Sequence, residues 1–408
     1  MECIDYALQH NIDVKKLQLQ QSIASNNLVQ SKQNILPSLN GFANYSATSA
    51  MFITPEAKPF IENSTRAGNI GLAVELDVFK GLYNVNNIKK QDLLLQISNQ
   101  NVASVQSTIM LEVATAFMYI IYNNEKLKTI DLQMQRTMQQ LEVTRKFFAA
   151  GECTEADALQ KLHINNEIDN RKLALAQAME VKLDTVSDIA LGLELPLIES
   201  FVTQQTIEEL LSKACAIRPE IVLAQTNIKV KETDIALSRS AALPSLSVGY
   251  NVYTSSNAPG FYNYQDMTIY QEKMFNNFYG NFSARLTVPI FNKFTVKHDL
   301  ANKKIEKQVA EFDLQNSNKE LYNAISIAFR NLNTAKMEYD KQLKILELTK
   351  KTYFIAEKQN EVGEISSYEF LLEKNKLNET EISLLISKYE FLFNKMVLDF
   401  YTTNRITM

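Results

Sequence analysis

Between Leu82 and Ala150, and again between Ile290 and Val362, the chain contains no glycine and no proline. Those two residues interrupt helices more strongly than any others, so each span can run as one unbroken helix. The spans are copies: Phe79 to Gly151 and Phe291 to Gly363 both cover 72 positions (151 − 79 and 363 − 291), with no insertion between them. Apolar residues inside fall in heptad columns. One is Leu95, Val102, Ile109, Ala116; the other is Val113, Ile120, Leu127, Met134, Leu141, Phe148. Moving 212 positions on (291 − 79) gives Lys307, Leu314, Leu321, Ala328, and Ile325, Leu332, Tyr339, Leu346, Tyr353, Asn360. The columns break only at Lys307 and Asn360, near the two ends. A repeat of seven implies a supercoiled seam, and at about 1.5 Å per residue each helix reaches roughly 100 Å. A rod needs that length; a globular domain does not.

A chain of 408 residues could hold two or three ordinary domains. The duplication argues instead for one body built from two like halves. Only 10 glycines and 8 prolines fit a mostly helical protein. A net charge of −4 and a pI near 5.7 supply no basic face for nucleic acid. No unbroken apolar run approaches 18 residues, so no membrane-crossing helix is expected. Nothing ahead of the first helical pattern resembles a signal peptide, so an exported chain would be a mature form. Cys3, Cys153 and Cys215 lack the spacing of metal ligands. His10, His163 and His298 lie in separate helical contexts, and there is no phosphate-binding loop, HExxH or nucleophile elbow. No catalytic residue, metal or cofactor is expected.

The first repeat covers residues 1–205, with a helix over 13–34, a β-hairpin over 39–78, the long helix over 80–149 and a return helix over 154–191. The second covers 206–408, with a helix over 219–242, a hairpin over 246–288, the long helix over 292–361 and a return helix over 366–401. Short helices over Glu2–His10 and Ile207–Ile217 precede the two. Pro37-Ser38-Leu39 recurs as Pro244-Ser245-Leu246, an offset of 207 (244 − 37), so the second hairpin is five residues longer than the first (212 − 207). In the hairpins period two replaces the helical pattern. Ile70, Leu72, Val74, Leu76 and Val78 alternate with Asn69, Gly71, Ala73, Glu75 and Asp77. Leu246, Val248, Tyr250 and Val252 do the same, as do Phe282, Ala284, Leu286 and Val288; the run from Leu39 to Ala47 is weaker because Phe42 falls on its polar side. Each run is about ten residues, the length of a tilted strand crossing a bilayer. Aromatic loops, with Phe261, Tyr262, Tyr264, Tyr270, Phe275 and Tyr279, suit a membrane interface. Gly151 and Gly363 end the long helices in tight turns, and Thr154 and Ser366 are N-caps for the helices that return.

Four strands cannot close a barrel, and open edges are not tolerated in hydrocarbon. Several chains must therefore pool their strands. Two chains give eight, a count that fills with side chains; three give twelve, wide enough for water. Three is favoured, because six long helices and their partners can then line a continuous tube. Glu75, Asp77 and Arg285 would face the lumen.

These features together resemble the TolC family of outer-membrane efflux ducts. The resemblance rests on the duplicated Leu36-Pro37-Ser38-Leu39 and Leu243-Pro244-Ser245-Leu246, on Val78-Phe79 and Ile290-Phe291, and on the turns Gly151-Glu152-Cys153-Thr154 and Gly363-Glu364-Ile365-Ser366. It implies a mainly α fold with transmembrane β, a trimeric 12-stranded β-barrel continuing into a periplasmic α-helical barrel. The chain's start, the Gly192–Arg218 region and the C-terminal tail would form an equatorial belt. The implied location is the outer membrane of a Gram-negative bacterium. The implied role is a passive exit duct for tripartite efflux or type I secretion, in contact with outer-membrane lipid. Its partners would be two further copies in a homotrimer, a periplasmic adaptor (membrane fusion) protein and an inner-membrane pump or ABC transporter. The adaptor would meet the tips at Gly151, Glu152, Thr154, Gly363, Glu364 and Ser366. Asp157 and Glu369 match the family's aperture positions, six residues past each tip glycine, and would form rings of carboxylate favouring cations. The family's second acidic position falls on Leu372, with Glu373 beside it, and Ile365 replaces an arginine that latches the tip in some relatives. Glu152, Glu155 and Glu364 read as complements of helix dipoles. The competing reading is a non-transporting coiled-coil scaffold or periplasmic adaptor, whose single hairpin and Gly- and Pro-rich β domains this chain lacks.

Overall fold

The structure, a computed structural model, describes residues 2–52, 61–147, 173, 206–259 and 277–404. Helices α1 (Glu2–His10) and α2 (Ile12–Gln33) lead to strands β1 (Ser38–Phe52) and β2 (Ile61–Lys80) and the long helix α3 (Tyr83–Phe147). The second half supplies α4 (Ile207–Ile217), α5 (Pro219–Ser240), β3 (Ser245–Pro259), β4 (Phe278–Thr287), the long helix α6 (Thr295–Glu361) and α7 (Ser367–Thr403). The expected return helix over 154–191, the linker after it and the aromatic loop from Phe261 to Phe275 lie outside the described residues.

Helices α3 and α6 run for 65 and 67 residues, as the missing glycines and prolines allow. Both start three residues later than the sequence suggests, because a corner intervenes. Gly81 and Leu82 take φ of 58° and 66°, and 212 positions on, Lys293 and Phe294 take 54° and 61°. Such backbone costs a residue with a Cβ about 1–2 kcal/mol, and three of these four positions accept that cost. At Gly81 the choice is steric as well. A Cβ there would sit 2.4 Å from the Ser240 carbonyl oxygen and 2.9 Å from Leu243 Cβ.

Contacts divide the chain into two units, each drawn from both repeats. One contains residues 1–22, 96–226 and 311–408. Its core is duplicated. Ile4, Ala7 and Val14 pack on Ile109, Val113, Ala116 and Ile120 of α3 and on Tyr389, Met396 and Phe400 of α7. Leu210, Ala214 and Ile221 pack on Leu321, Ile325, Ala328 and Leu332 of α6 and on Phe391 and Leu398 of α7. Equivalent positions are buried alike: Ala7 and Ala214 are both 0% exposed, and Val113 and Ile325 are 1% and 0%. Helix α7 thus serves both copies, with one face in each core.

A buried knot closes this unit. The Arg218 guanidinium lies over the rings of Phe400 and Tyr401, 5.0 and 5.3 Å from their centroids. Its Nε donates to Glu220 (2.8 Å) and an Nη to Asn404 Oδ1 (3.3 Å), which also accepts from Ser107 Oγ at 2.9 Å. Asn404, at φ 52°, is the left-handed C-cap of α7. In the first repeat the position of Arg218 is taken by Asn11 (218 − 207), whose Oδ1 accepts from the backbone N–H of Asp13 and Val14 at the start of α2.

The other unit, residues 23–95 and 227–310, carries the strands. Beside them, charged residues link α3, α5 and α6. Lys90 meets Asp234 at 2.7 Å, Lys231 and Lys303 both meet Glu306 at 3.0 and 2.8 Å, and Lys307 meets Glu232 at 3.0 Å. Lys307 therefore breaks the apolar column in order to pair with α5. Asn360 breaks it because the helix is ending, and its carbonyl accepts from Gly363 N–H.

One expectation is corrected. The strands have 15, 20, 15 and 10 residues rather than about ten each. Alternation is legible only where one side is apolar, whereas the main-chain ladder continues through stretches such as Ser46-Ala47-Thr48 that carry no pattern. A count of unbroken runs also passes over a stretch of α3 that is, on average, apolar enough to cross a membrane. Within Tyr83–Thr129 an 18-residue window reaches a mean hydropathy of 1.4, with 44% of it buried. Scattered Ser, Thr and Glu hide it from a search for unbroken runs.

The Glu306 cluster predicts an acid transition. The hydrogen bond from Lys303, and next that from Lys231, hold the Glu306 carboxyl at about 2, below its ordinary 4.5. Because the folded value is the lower one, its contribution to stability is present above pH about 4.5 and is lost as pH falls towards 2. Glu306→Gln should flatten helical unfolding, followed by circular dichroism, across that window. Added salt should weaken the effect in the native chain.

Candidate functional site

Two regions gather the residues that the sequence singles out: the sheet, and the turn between α6 and α7.

The four strands form one antiparallel sheet in the order β1-β2-β3-β4, so the two hairpins join through β2 and β3. In most rows the register keeps each face of one character across the strands. On one face stand the rows Leu39/Val74/Tyr250/Phe282, Ala43/Ile70/Thr254/Phe278 and Leu76/Val248/Ala284. On the other stand Ser38/Glu75/Gly249/Ser283, Asn40/Ala73/Asn251/Asn281 and Asp77/Ser247/Arg285. A slip of one residue in any pairing would mix the two faces. Near its end β2 shifts register between Asp77 and Phe79, which brings Phe79 opposite Leu246.

The apolar face is bare. Leu39, Phe282 and Leu286 are 66%, 69% and 66% exposed, and Ile70, Leu72 and Tyr250 are exposed beside them. An apolar patch of this kind on a lone chain marks a surface that water does not cover in the working state. Glu75, Asp77 and Arg285 all lie on the polar face, and Asp77 is paired with Lys80 at 3.1 Å.

One row of the polar face departs from its pattern: Phe42, Gly71, Tyr253 and Tyr279. A Cβ on Gly71 would lie 2.5 Å from Tyr253 Cβ and 2.8 Å from Phe42 Cζ. The Phe42 ring therefore occupies the space a side chain at 71 would need. In the sequence alone Phe42 is only an irregularity in an alternating run; the register sets it beside a glycine.

At the other region, α6 ends at Glu361 and is closed by Gly363, φ 79°. Glu364 N–H donates to the Gln359 carbonyl (2.8 Å) and Gly363 N–H to that of Asn360 (3.2 Å), the pair of bonds that closes a helix through a left-handed glycine. Ser366 then caps α7. Its Oγ accepts from Glu369 N–H at 3.2 Å, while Glu369 Oε2 accepts from Ser366 N–H and Oγ at 2.9 and 3.0 Å. These bonds, the backbone one first, lower the Glu369 pKa and keep the carboxylate charged. Val362, Glu364 and Glu369 are exposed, as is Leu372 one turn on, while Phe370 is buried and lies 5.6 Å from the Tyr353 ring. Glu373 is half-buried, with one carboxylate oxygen that has no partner among the described residues. Gly151, Glu152, Thr154, Glu155 and Asp157 lie outside the described residues.

A sheet with one lipid-like and one water-like face, continuous in sequence with long seam-forming helices, is the build of an outer-membrane channel subunit. The fold agrees with solved structures. These include the CmeC outer membrane channel of Campylobacter jejuni (TM-score 0.76, 16% identity, 98% of this chain and 84% of that one). The outer membrane protein VceC of Vibrio cholerae gives 0.75 and 15%, over 98% and 95%. The open-state MtrE outer membrane channel of Neisseria gonorrhoeae gives 0.74 and 18%, over 98% and 87%. Residues 3–180 and 210–392 match the outer membrane efflux protein family. The chain belongs to that family, and the resemblance to TolC drawn from its motifs is borne out. The family's place is the outer membrane of Gram-negative cells, and its fold is that of passive channels. A curated relative, the pyoverdine export outer membrane protein OpmQ of Pseudomonas aeruginosa, is 22% identical over 204 residues; the match covers 48% of this chain and only 40% of OpmQ.

The crowding at Gly71 predicts the effect of a single methyl group. Gly71→Ala should sharply lower the yield of folded protein recovered from outer membranes. Gly41→Ala, whose Cβ would meet only Leu72 Cδ2 at 3.7 Å, should leave that yield close to native.

Proposed function

We propose that the chain is one of three subunits of an outer-membrane exit duct, a passive channel that carries solutes from a pump in the inner membrane to the exterior. The observation that carries this reading is the two-faced sheet. Its apolar side is uncovered, and among the described residues β1 and β4 have no strand partner on their outer edges. Each unpaired backbone group in hydrocarbon costs several kcal/mol, so the edges must meet sister strands. Three chains supply twelve strands, enough for a lumen that holds water. The polar face, with Glu75, Asp77 and Arg285, then lines it.

The tips are the gate. Glu369 and Asp157, each repeated three times, form rings that attract cations and repel anions, with Leu372 as an apolar level beside the Glu369 ring. Glu369 meets the gate already bound to the Ser366 N-cap, so its charge is held in place rather than on a free side chain. A periplasmic adaptor that contacts the turns at Gly151–Thr154 and Gly363–Ser366 opens the gate by binding the open form more tightly. To move the balance from 1:99 to 99:1 takes about 5.5 kcal/mol of differential affinity. The driving energy belongs to the pump, and the duct has no chemical step of its own.

Purified in detergent and placed in planar bilayers, the chain should form trimers and conduct ions. A detergent-free soluble monomer would overturn the reading. Combined Asp157→Ala and Glu369→Ala substitution should reduce preference for cations over anions and weaken block by divalent cations, read from reversal potentials and single-channel current. Unchanged selectivity would move the constriction elsewhere.

A further inference from the structure

The aromatic row on the polar face is out of keeping with its neighbours. To one side stand Asn40, Ala73, Asn251 and Asn281, and to the other Asn44, Asn69 and Ser255. Between them Tyr253 and Tyr279 stack, with ring centroids 5.5 Å apart and planes 25° from parallel. Phe42 reaches across β2 towards Tyr253 because Gly71 leaves the way open. The result is a shelf of three rings spanning four strands. It is not sealed off: Tyr279 is 48% exposed, and Phe42 and Tyr253 are half-buried.

Charge does not explain the row. The ionised groups further along this face and at its root are Glu75 and Asp77 against Lys80 and Arg285, and they balance. What the row offers a passing solute is the flat face of its rings, which attracts other flat rings by offset stacking. We propose that Phe42, Tyr253 and Tyr279 form a stacking shelf in the exit lumen that contacts planar aromatic solutes as they leave and gives the duct a preference for them. This inference rests on the duct reading above, under which three copies of the shelf stand at one level.

The test uses the full-length chain in planar bilayers with two blocking cations, planar ethidium and non-planar tetrabutylammonium. Ethidium should interrupt the native current for longer than tetrabutylammonium does. Replacing the rings with Phe42→Leu, Tyr253→Leu and Tyr279→Leu keeps apolar bulk but removes the flat face. Ethidium residence should then shorten about fivefold, with tetrabutylammonium unchanged. Tyr253→Phe with Tyr279→Phe should restore native residence. Ethidium residence that is unchanged in the leucine variants, or an equal change for both blockers, would overturn the shelf. A native chain that conducts nothing would remove the duct reading itself, a result distinct from either. Should the leucine variants fail to insert, Tyr279→Trp gives a second readout, because the chain has no other tryptophan. Its fluorescence should be quenched by ethidium and not by tetrabutylammonium, and absence of quenching would equally overturn the proposal.

Discussion

Every residue of an extended strand other than proline carries one hydrogen-bond donor and one acceptor, and both need partners wherever water is excluded. Under the duct reading proposed above, that requirement governs the assembly. Strands β2 and β3 satisfy each other and their outer neighbours through antiparallel ladders, broken once by the register shift in β2, whereas β1 and β4 end the sheet among the described residues. Within the described residues a lone subunit therefore offers two unpaired edges beside an uncovered apolar face, a combination that neither water nor lipid accepts. The helical part of the molecule makes no such demand, since helices pair their backbones internally.

Duplication supplies the rest of the economy of the fold. The same columns are buried in both copies, and the same pair of left-handed residues turns the strand into the long helix, although only one of those four residues is glycine. Conservation of the corner geometry between copies that have otherwise diverged, with Gly81 answered by Lys293, points to the turn angle as the thing preserved. At one pair of positions the divergence goes with a difference in contacts. Asn11 caps α2, while its counterpart Arg218 joins α5 to the end of α7 through Asn404.

Much of this was legible before the coordinates. The long helices follow from an absence of breakers, and the sheet faces from alternation at Ile70 to Val78 and Leu246 to Val252. Ser366 and Gly363 announce their turn by residue type alone. The reach of the strands was hidden, because residues such as Ser46, Ala47 and Thr48 fit a ladder without declaring a face. The corner at Lys293-Phe294 was hidden too, since nothing in those side chains favours positive φ. The aromatic row could not be read at all from one strand. Phe42, Gly71, Tyr253 and Tyr279 lie in four segments, and only the register makes them neighbours. Likewise the commitment of Glu369 to a capping box was implied by its spacing from Ser366, but its family position drew attention to charge instead.

The shared helix α7 has a mechanical implication. Its two flanks are embedded in the two duplicated cores, its first residue follows the Ser366 cap, and its last turn is fastened by Asn404 to Arg218 and Ser107. An uninterrupted 37-residue helix resists bending and twisting. Torque applied at the cap therefore travels down a stiff shaft and arrives at the clasp, loading both halves of the chain at once rather than in turn.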